Sequence, residues 1–340
     1  MTFTQSLKGV SVNILITGGA GFIGSHLCEK LIDKETHQVY CLDNFSDEIP
    51  SDIKDQNLSG LLNHSLFTLF EVGVTDFPGL KQVFDNYYFD HIIHLAGLSR
   101  VKQSMEQPLR YSQVNILGTH NILELARQYN IKHLSFASSQ HVYGGPKSHS
   151  FSESDPCDRP LSPYAATAIS AETLCQTYHY LHKMNIAILR LFSVYGPRQN
   201  PLQDIHSFSQ LIYDNIAIPQ NMDDSRKLDY IHVDDVTDGI IRAIDWLDTR
   251  SQPTLEIFNL GKSGALTEYE LINLIGQKLN IEPIIKWLPV LGEKAGDRVA
   301  NISKAKKYLG FNPQISIEQG IEDFIAWFLV AQSRYYHSDR

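Results

Sequence analysis

The stretch ILITGGAGFIG, Ile14 to Gly24, decides the fold. Four strand-like residues run into Gly18, Gly21 and Gly24, and the next residues, GSHLCEKLIDK, carry a helical pattern. Glycine is needed at such a junction because the backbone must turn tightly and approach a phosphate closely, with helix-start N–H groups facing the anion. A second strand-like run, QVYCLD, ends at Asp43, 19 residues beyond Gly24. A carboxylate there accepts hydrogen bonds from ribose hydroxyls and repels a 2′-phosphate. No Arg or Lys stands between Cys41 and Ile53, so the pattern predicts NAD over NADP.

Outward from this junction, strand-length apolar runs alternate with helical patterns: FTLFEVGV, GLKQVFDNYY, HIIHLAG, NILGTHNILELARQYN and HLSFASS. Alternating β and α units with near-continuous apolar strands predict an α/β fold, a Rossmann-type doubly wound parallel sheet covered on both faces. The regularity breaks between Pro197 and Pro201, and a smaller α/β C-terminal domain follows. The expected division is an NAD-binding domain over 1–190 plus about 228–262, and a smaller second domain over about 191–227 plus 263–340.

The 340 residues, 43% hydrophobic and 20% charged, suffice for a buried core, and the net charge of -9 leaves no basic footprint for nucleic acid or an anionic membrane. Cys28, Cys41, Cys157 and Cys175 form no C-x-x-C pair and no zinc-like spacing with histidine, so no metal site is expected and a reducing compartment fits. The apolar run FIAWFLVA near the C-terminus is too short to span a bilayer and predicts a docked helix. The expectation is a cytoplasmic chain.

The motifs TGGAGFIG, DNFS, HLAG, FASSQHVYGG, SPYAAT, LFSVYGPR, DYIHVDDV and ISKAKKYLGFNP occur in order along nearly the whole chain. Together they resemble the extended short-chain dehydrogenase/reductase family, and within it the NAD-dependent nucleotide-sugar epimerases and dehydratases. GVTDFPGLKQVF, NILGTHNILELAR and TYHYL look most like UDP-glucuronate 4-epimerases. The resemblance implies that Tyr164 takes the proton of a sugar 4-hydroxyl while hydride leaves C4, and that Ser139 shares a hydrogen bond with the 4-oxygen. It assigns Gly18, Gly21, Phe22, Ile23 and Gly24 to the pyrophosphate loop and Asp43 and Asn44 to the ribose. Leu95, Ala96 and Gly97 fall at the strand end beside the cofactor, Asn115 near the catalytic pair, and Phe192 and Ser193 near nicotinamide and sugar. It also implies a homodimer, through helices bearing Leu174, Tyr178 and Leu181, and the setting of cell-surface polysaccharide precursors.

Several positions depart from the pattern. Ala168 stands where the family has a lysine whose ammonium stabilises the tyrosinate; an unperturbed phenol titrates near 10, so bringing it to neutrality takes roughly 4 kcal/mol. Gly73, Ser99 and Leu228 replace an aspartate, a lysine and a diphosphate-gripping arginine, and Lys294 replaces a second arginine. Arg226 or Lys227 could reach the diphosphate from a shifted register. Three readings of Ala168 stay open: an inactivating replacement, assistance by His141, or a non-catalytic binder of NAD and sugar nucleotide. Gln140 and His141 occupy the place of the Asp-Glu pair of sugar 4,6-dehydratases, which weakens a dehydratase or decarboxylase reading. Asn200 replaces an arginine near a glucuronate carboxylate, which together with Gln140 and His141 weakens a glucuronate substrate, so Gln140, His141, Arg198 and Asn200 would shape a pocket for a neutral or N-acetylated hexose.

Overall fold

The structure, a computed structural model, describes residues 12–46, 49–145, 150–221, 226–289 and 296–338, with side chains to residue 333. Strand β1 (Val12–Thr17) buries Ile14, Leu15 and Ile16 completely, so apolar side chains point to both faces, as a sheet covered on two sides requires. It leads through the glycine turn into α1 (Phe22–Asp33), then β2 (His37–Asp43), α2 (Ser51–Leu58) and β3 (Phe67–Glu71). Strands β4 (His91–His94), β5 (His133–Ser139) and β6 (Asn185–Leu191) follow, and Leu255–Leu260 forms the last strand of the sheet. The spatial order is Leu255–Leu260, β6, β5, β4, β1, β2, β3, with β3 to β5 paired in parallel. The chain direction across the sheet reverses between β1 and β4, and ligands of such sheets bind outside the C-terminal strand ends at that switch.

Helices Phe77–Asn86, Gly118–Gln128 and Pro163–His182 supply Leu80, Val83, Ile122, Leu125, Ala171 and Cys175 to a core that includes Leu15, Ile92, Leu134 and Ile186 of the sheet. One polar cluster sits inside this layer. Glu172, 3% exposed, takes Nε and Nη2 of Arg190 at 2.9 and 2.7 Å, and the Ser138 hydroxyl donates to it at 2.5 Å. The Pro163–His182 helix is thereby tied to the ends of β5 and β6.

The chain forms two compact units, Met1–Val142 with Cys157–Arg190 and Ile240–Phe258, and Tyr143–Pro156 with Leu191–Gly239 and Asn259–Arg340. The return to the first unit therefore starts at Ile240 and not near residue 228. The strand Tyr230–His232, read from sequence as part of that return, instead pairs in parallel with Ser193–Tyr195 of the second unit. In the second unit Phe208, Ile212, Leu271, Ile275, Phe324 and Phe328 form a separate core, and FIAWFLVA lies within the helix Ile317–Ser338. Fully buried Asp229 organises its loops by accepting the N–H groups of Lys262, Ser263 and Ala300 at 2.8, 3.0 and 2.9 Å. Burial pushes this carboxyl up to about 6 against the pull of those donors. No helix among the described residues is long and apolar enough to cross a membrane.

Replacing Glu172 by Gln removes the carboxylate charge that faces the Arg190 guanidinium, 4% exposed. Breaking one side of a buried pair costs about 3–5 kcal/mol. Urea unfolding of Glu172→Gln is expected to show a loss of that size; a midpoint equal to that of the unmodified protein would contradict the assignment.

Candidate active site

The glycine turn is built for close approach. Gly18 holds φ +72, and a Cβ there would sit 2.9 Å from the Ala96 backbone; one on Gly24 would sit 2.3 Å from the Gly18 carbonyl oxygen. No side chain caps α1, whose N-cap is Gly21, so the positive end of the helix is left to an anion. Beside the turn, buried Asp43 accepts the Ala20 N–H at 3.2 Å and the Phe45 N–H at 3.0 Å. Asn44 takes the Ser46 N–H at 3.2 Å within the same loop.

Two residues of α2 complete this corner and escaped the sequence reading. Lys54, 5% exposed, donates to Asp43 Oδ1 at 2.8 Å, and Asn57 donates to the Ala20 carbonyl at 3.0 Å. Lys54 lies one residue past the Cys41–Ile53 window in which no cation occurs. Its ammonium is buried and engaged by Asp43, so the NAD preference stands.

At the end of β4 a chain of hydrogen bonds fixes the loop Leu95–Gly97. Thr119 donates to the Asn115 carbonyl at 2.6 Å, so its oxygen receives the proton of His94 Nε2 at 3.0 Å; His94 Nδ1 then accepts from Thr17 at 2.6 Å, and Thr17 accepts the Ala96 N–H at 3.2 Å. Burial holds His94 at about 4, neutral as this chain requires. Asn115 sits in a π-helical segment, Ser112–Leu117, a distortion often found at functional sites. Its amide accepts the Leu98 N–H at 2.8 Å and donates to the Leu98 carbonyl at 2.9 Å and to Thr167 at 3.0 Å. Thr167 in turn donates to the Tyr164 carbonyl at 2.8 Å, which couples the β4 loop to the first turn of the Pro163–His182 helix.

Ser162 caps that helix by accepting the Ala165 N–H at 3.1 Å, and Tyr164 follows in the first turn. The phenol is hydrogen-bonded to the Ser139 side chain, and Ser139 Oγ accepts the His141 N–H at 3.3 Å. The His141 ring meets the Tyr164 ring edge-on, centroids 5.6 Å apart. Sequence placed His141 on the strand with Ser139. In the structure β5 ends at Ser139, and Gln140–Tyr143 is a 3-10 turn that swings His141 to the phenol. Burial raises the Tyr164 pKa above 10.0, opposed by the Ser139 hydrogen bond. One helical turn on, where an ammonium would lower it, stands buried Ala168.

The remaining expected residues belong to the second unit. Phe192 is buried, and its N–H bonds the Leu260 carbonyl at 3.0 Å; Ser193 N–H bonds the Asp229 carbonyl at 3.1 Å. Arg198 has φ +66, and Asn200 closes its own turn by accepting the Leu202 N–H at 3.0 Å. Leu228 is buried in the apolar core, and Lys294 lies outside the described residues. Arg298, which sequence reading missed, is the bridge partner of Leu228 and donates through Nη2 to the Gly144 carbonyl at 2.9 Å. Burial, and then the charge of Arg226, lower its pKa, while Asp204, raised by burial, feels the opposite pull of Arg226. Two guanidiniums thus share one neighbourhood, an arrangement that favours an anion.

A sequence profile described as the NAD dependent epimerase/dehydratase family matches residues 14–261. The chain belongs to this family. Among relatives of this epimerase/dehydratase, a UDP-glucuronate 4-epimerase of Thermodesulfobacterium geofontis is 36% identical over 92% of this chain and 95% of its own. The crystal structure of UDP-glucuronic acid 4-epimerase from Bacillus cereus with UDP-glucuronic acid and NAD superposes with TM-score 0.84 at 30% identity, covering 94% of this chain and 99% of that one. UDP-N-acetylglucosamine 4-epimerase from Methanobrevibacter ruminantium, in complex with UDP-N-acetylmuramic acid, gives 0.83 at 28% identity over 95% and 99%. The family's cofactor is NAD, and the residues fit it: the turn would be filled by any Cβ at Gly18 or Gly24, the start of α1 is uncapped, and Asp43 is held in place for a ribose.

For this epimerase/dehydratase, Gly24→Ala forces a methyl group against the Gly18 carbonyl. The variant is expected to bind NAD at least about tenfold more weakly by fluorescence titration, or about 1.4 kcal/mol. Unchanged affinity would overturn the placement of the pyrophosphate loop.

Proposed function

We propose that the chain is an NAD-dependent UDP-sugar 4-epimerase in which Tyr164 handles the proton of the sugar's 4-hydroxyl. The observation that carries the reading is the hydrogen-bonded series from His141 N–H to Ser139 Oγ and from Ser139 to the Tyr164 phenol, in the same compact unit as the glycine turn. Because Ser139 already accepts a proton from the backbone, its own proton is directed away from that donor, toward the phenol or a sugar oxygen. NAD, held by the glycine turn and Asp43, would supply a reversible hydride acceptor for the sugar's C4. Tyr164 takes the O4 proton as the carbinol is oxidised and returns it when the ketone is reduced on its other face. Asn115, through Thr167, holds the turn that carries Tyr164.

Within the second unit, Arg226 and Arg298 bring together positive charge of the kind a diphosphate needs, and Arg298, opposite Leu228, stands in for the arginine that Leu228 displaces. Gln140 and His141 offer no carboxylic acid for loss of water, which favours epimerisation over dehydration. The UDP-hexose or UDP-hexuronate product serves cell-surface polysaccharide synthesis in the cytoplasm. The enzyme works as a homodimer through the exposed apolar side chains Leu117, Tyr180 and Leu181; Leu174 and Tyr178, expected in that contact, pack in the core of their own unit. Binding of NAD and sugar nucleotide without turnover is the second reading, favoured by Ala168 beside a phenol whose pKa is raised.

The phenol's raised pKa fixes the sign of the pH dependence. Below that pKa the ionised fraction grows tenfold per pH unit, so epimerisation followed by NMR should rise about tenfold per unit between about pH 7 and 9. Ala168→Lys places an ammonium near the phenol and should raise the rate at neutral pH by about 10²–10⁴-fold. A neutral plateau lost in His141→Ala would move the base to His141. Silence of both forms toward a panel of UDP-hexoses and UDP-hexuronates would leave the binder reading.

A further inference from the structure

At the edge of the sheet opposite the glycine turn, three side chains from separate elements converge. His91 and His133 are the first residues of β4 and β5 and are register partners in the parallel pair. Asp248 ends the helix Val233–Asp248. His91 Nε2 lies 2.7 Å from Asp248 Oδ1, His133 Nδ1 lies 3.1 Å from the same oxygen, and the two ring nitrogens are 3.2 Å apart. All three belong to the first compact unit. They took no part in the nicotinamide site, and their separations of 42, 115 and 157 residues hide them from any spacing rule.

Hydrogen bonding alone serves this triangle poorly. The carboxylate only accepts, and each neutral imidazole carries one N–H. If both rings donate to Oδ1, the edge between the nitrogens sets two N–H groups against each other. If one ring turns its lone pair inward, that lone pair faces the carboxylate. A cation at the centre removes the conflict, because it takes a lone pair from all three atoms.

We propose that His91, His133 and Asp248 bind a zinc-class divalent cation. Zinc takes imidazole nitrogen and carboxylate oxygen at about 2.0–2.2 Å, which in a tetrahedron separates ligand atoms by roughly 3.3 Å. The 3.1 and 3.2 Å edges lie within about 0.2 Å of that value, and the 2.7 Å edge opens by about 0.6 Å, shared between His91 and the half-exposed Asp248 side chain. His91 is 2% exposed, whereas the His133 and Asp248 side chains are 21% and 47% exposed, so the buried ring anchors the site and the open side admits a water as fourth ligand. The negative end of the helix adds its field at Asp248. Asp90 and Asp245 lie close enough to act on the surrounding histidines, against Lys34 as the neighbouring cation. Imidazole with carboxylate selects zinc over magnesium or calcium, which prefer all-oxygen sets. The ion would clip the helix end to the N-terminal edge of β4 and β5, a structural role apart from the hydride chemistry at the other edge.

The test uses the full chain, stripped with a chelator, and the variant His133→Asn/Asp248→Asn, which spares buried His91. Zinc titration against a chromophoric competitor should give one site per chain, at least about tenfold weaker in the variant. Zinc should raise the thermal midpoint of the unmodified protein and not of the variant, and millimolar Mg²⁺ should not compete. No zinc uptake, or equal stoichiometry and affinity in both proteins, would overturn the site, the latter by assigning binding to scattered surface histidines. Since neither replaced residue belongs to the epimerase site, this outcome is independent of turnover.

Discussion

The candidate site depends on the buried carboxylate of Glu172. It grips Arg190 of β6 through two nitrogens and accepts the Ser138 hydroxyl at the end of β5. Tyr164 lies two helical turns before Glu172 on the same helix, and Ser139 follows Ser138 on the same strand. Fixing one pair therefore fixes the other: the phenol and the serine hydroxyl meet because the charges behind them do. Breaking a buried pair is costly while its net contribution relative to apolar packing is small, so specificity of placement is the better account of its presence.

The site itself is unusual in its electrostatics. An enzyme that uses a tyrosine as base ordinarily places a cation nearby, and here the position four residues on is a buried alanine. The phenol receives one hydrogen bond from Ser139 and loses solvation, and the second effect is the larger. What remains is geometry: a serine hydrogen-bonded to the phenol, an asparagine in a π-helical turn that is tied to the helix start, and a glycine turn whose helix is uncapped. Positioning supplies a large part of catalysis where a base is weak, at the cost of a strong dependence on pH.

Much of the architecture was legible because it repeats a local rule. Apolar runs bounded by turns mark the strands, GGAGFIG marks the tight turn before α1, and SPYAAT with FASSQ marks the hydrogen-bonded pair Tyr164 and Ser139. What escaped depends on contacts distant in sequence or on small local departures. Lys54 meets Asp43 because α2 folds back over the turn, and no pattern around Asp43 announces it. Arg298 lies opposite Leu228 only through a strand bridge, so a linear comparison sees a missing arginine and not the guanidinium that faces that position. His141 reaches the phenol by a 3-10 turn where strand alternation was assumed. The domain return was placed too early because DYIHV reads as a strand, and strand propensity does not say which sheet it joins. The triangle of His91, His133 and Asp248 is the extreme case, with three side chains on three elements.

The most direct test of the central claim is NMR-monitored epimerisation of a UDP-sugar by Tyr164→Phe beside the unmodified protein, at alkaline pH where the phenol ionises. The account predicts that Tyr164→Phe binds NAD with unchanged affinity and forms no epimer, while the unmodified protein turns over. Epimer formation by Tyr164→Phe at the unmodified rate would contradict it.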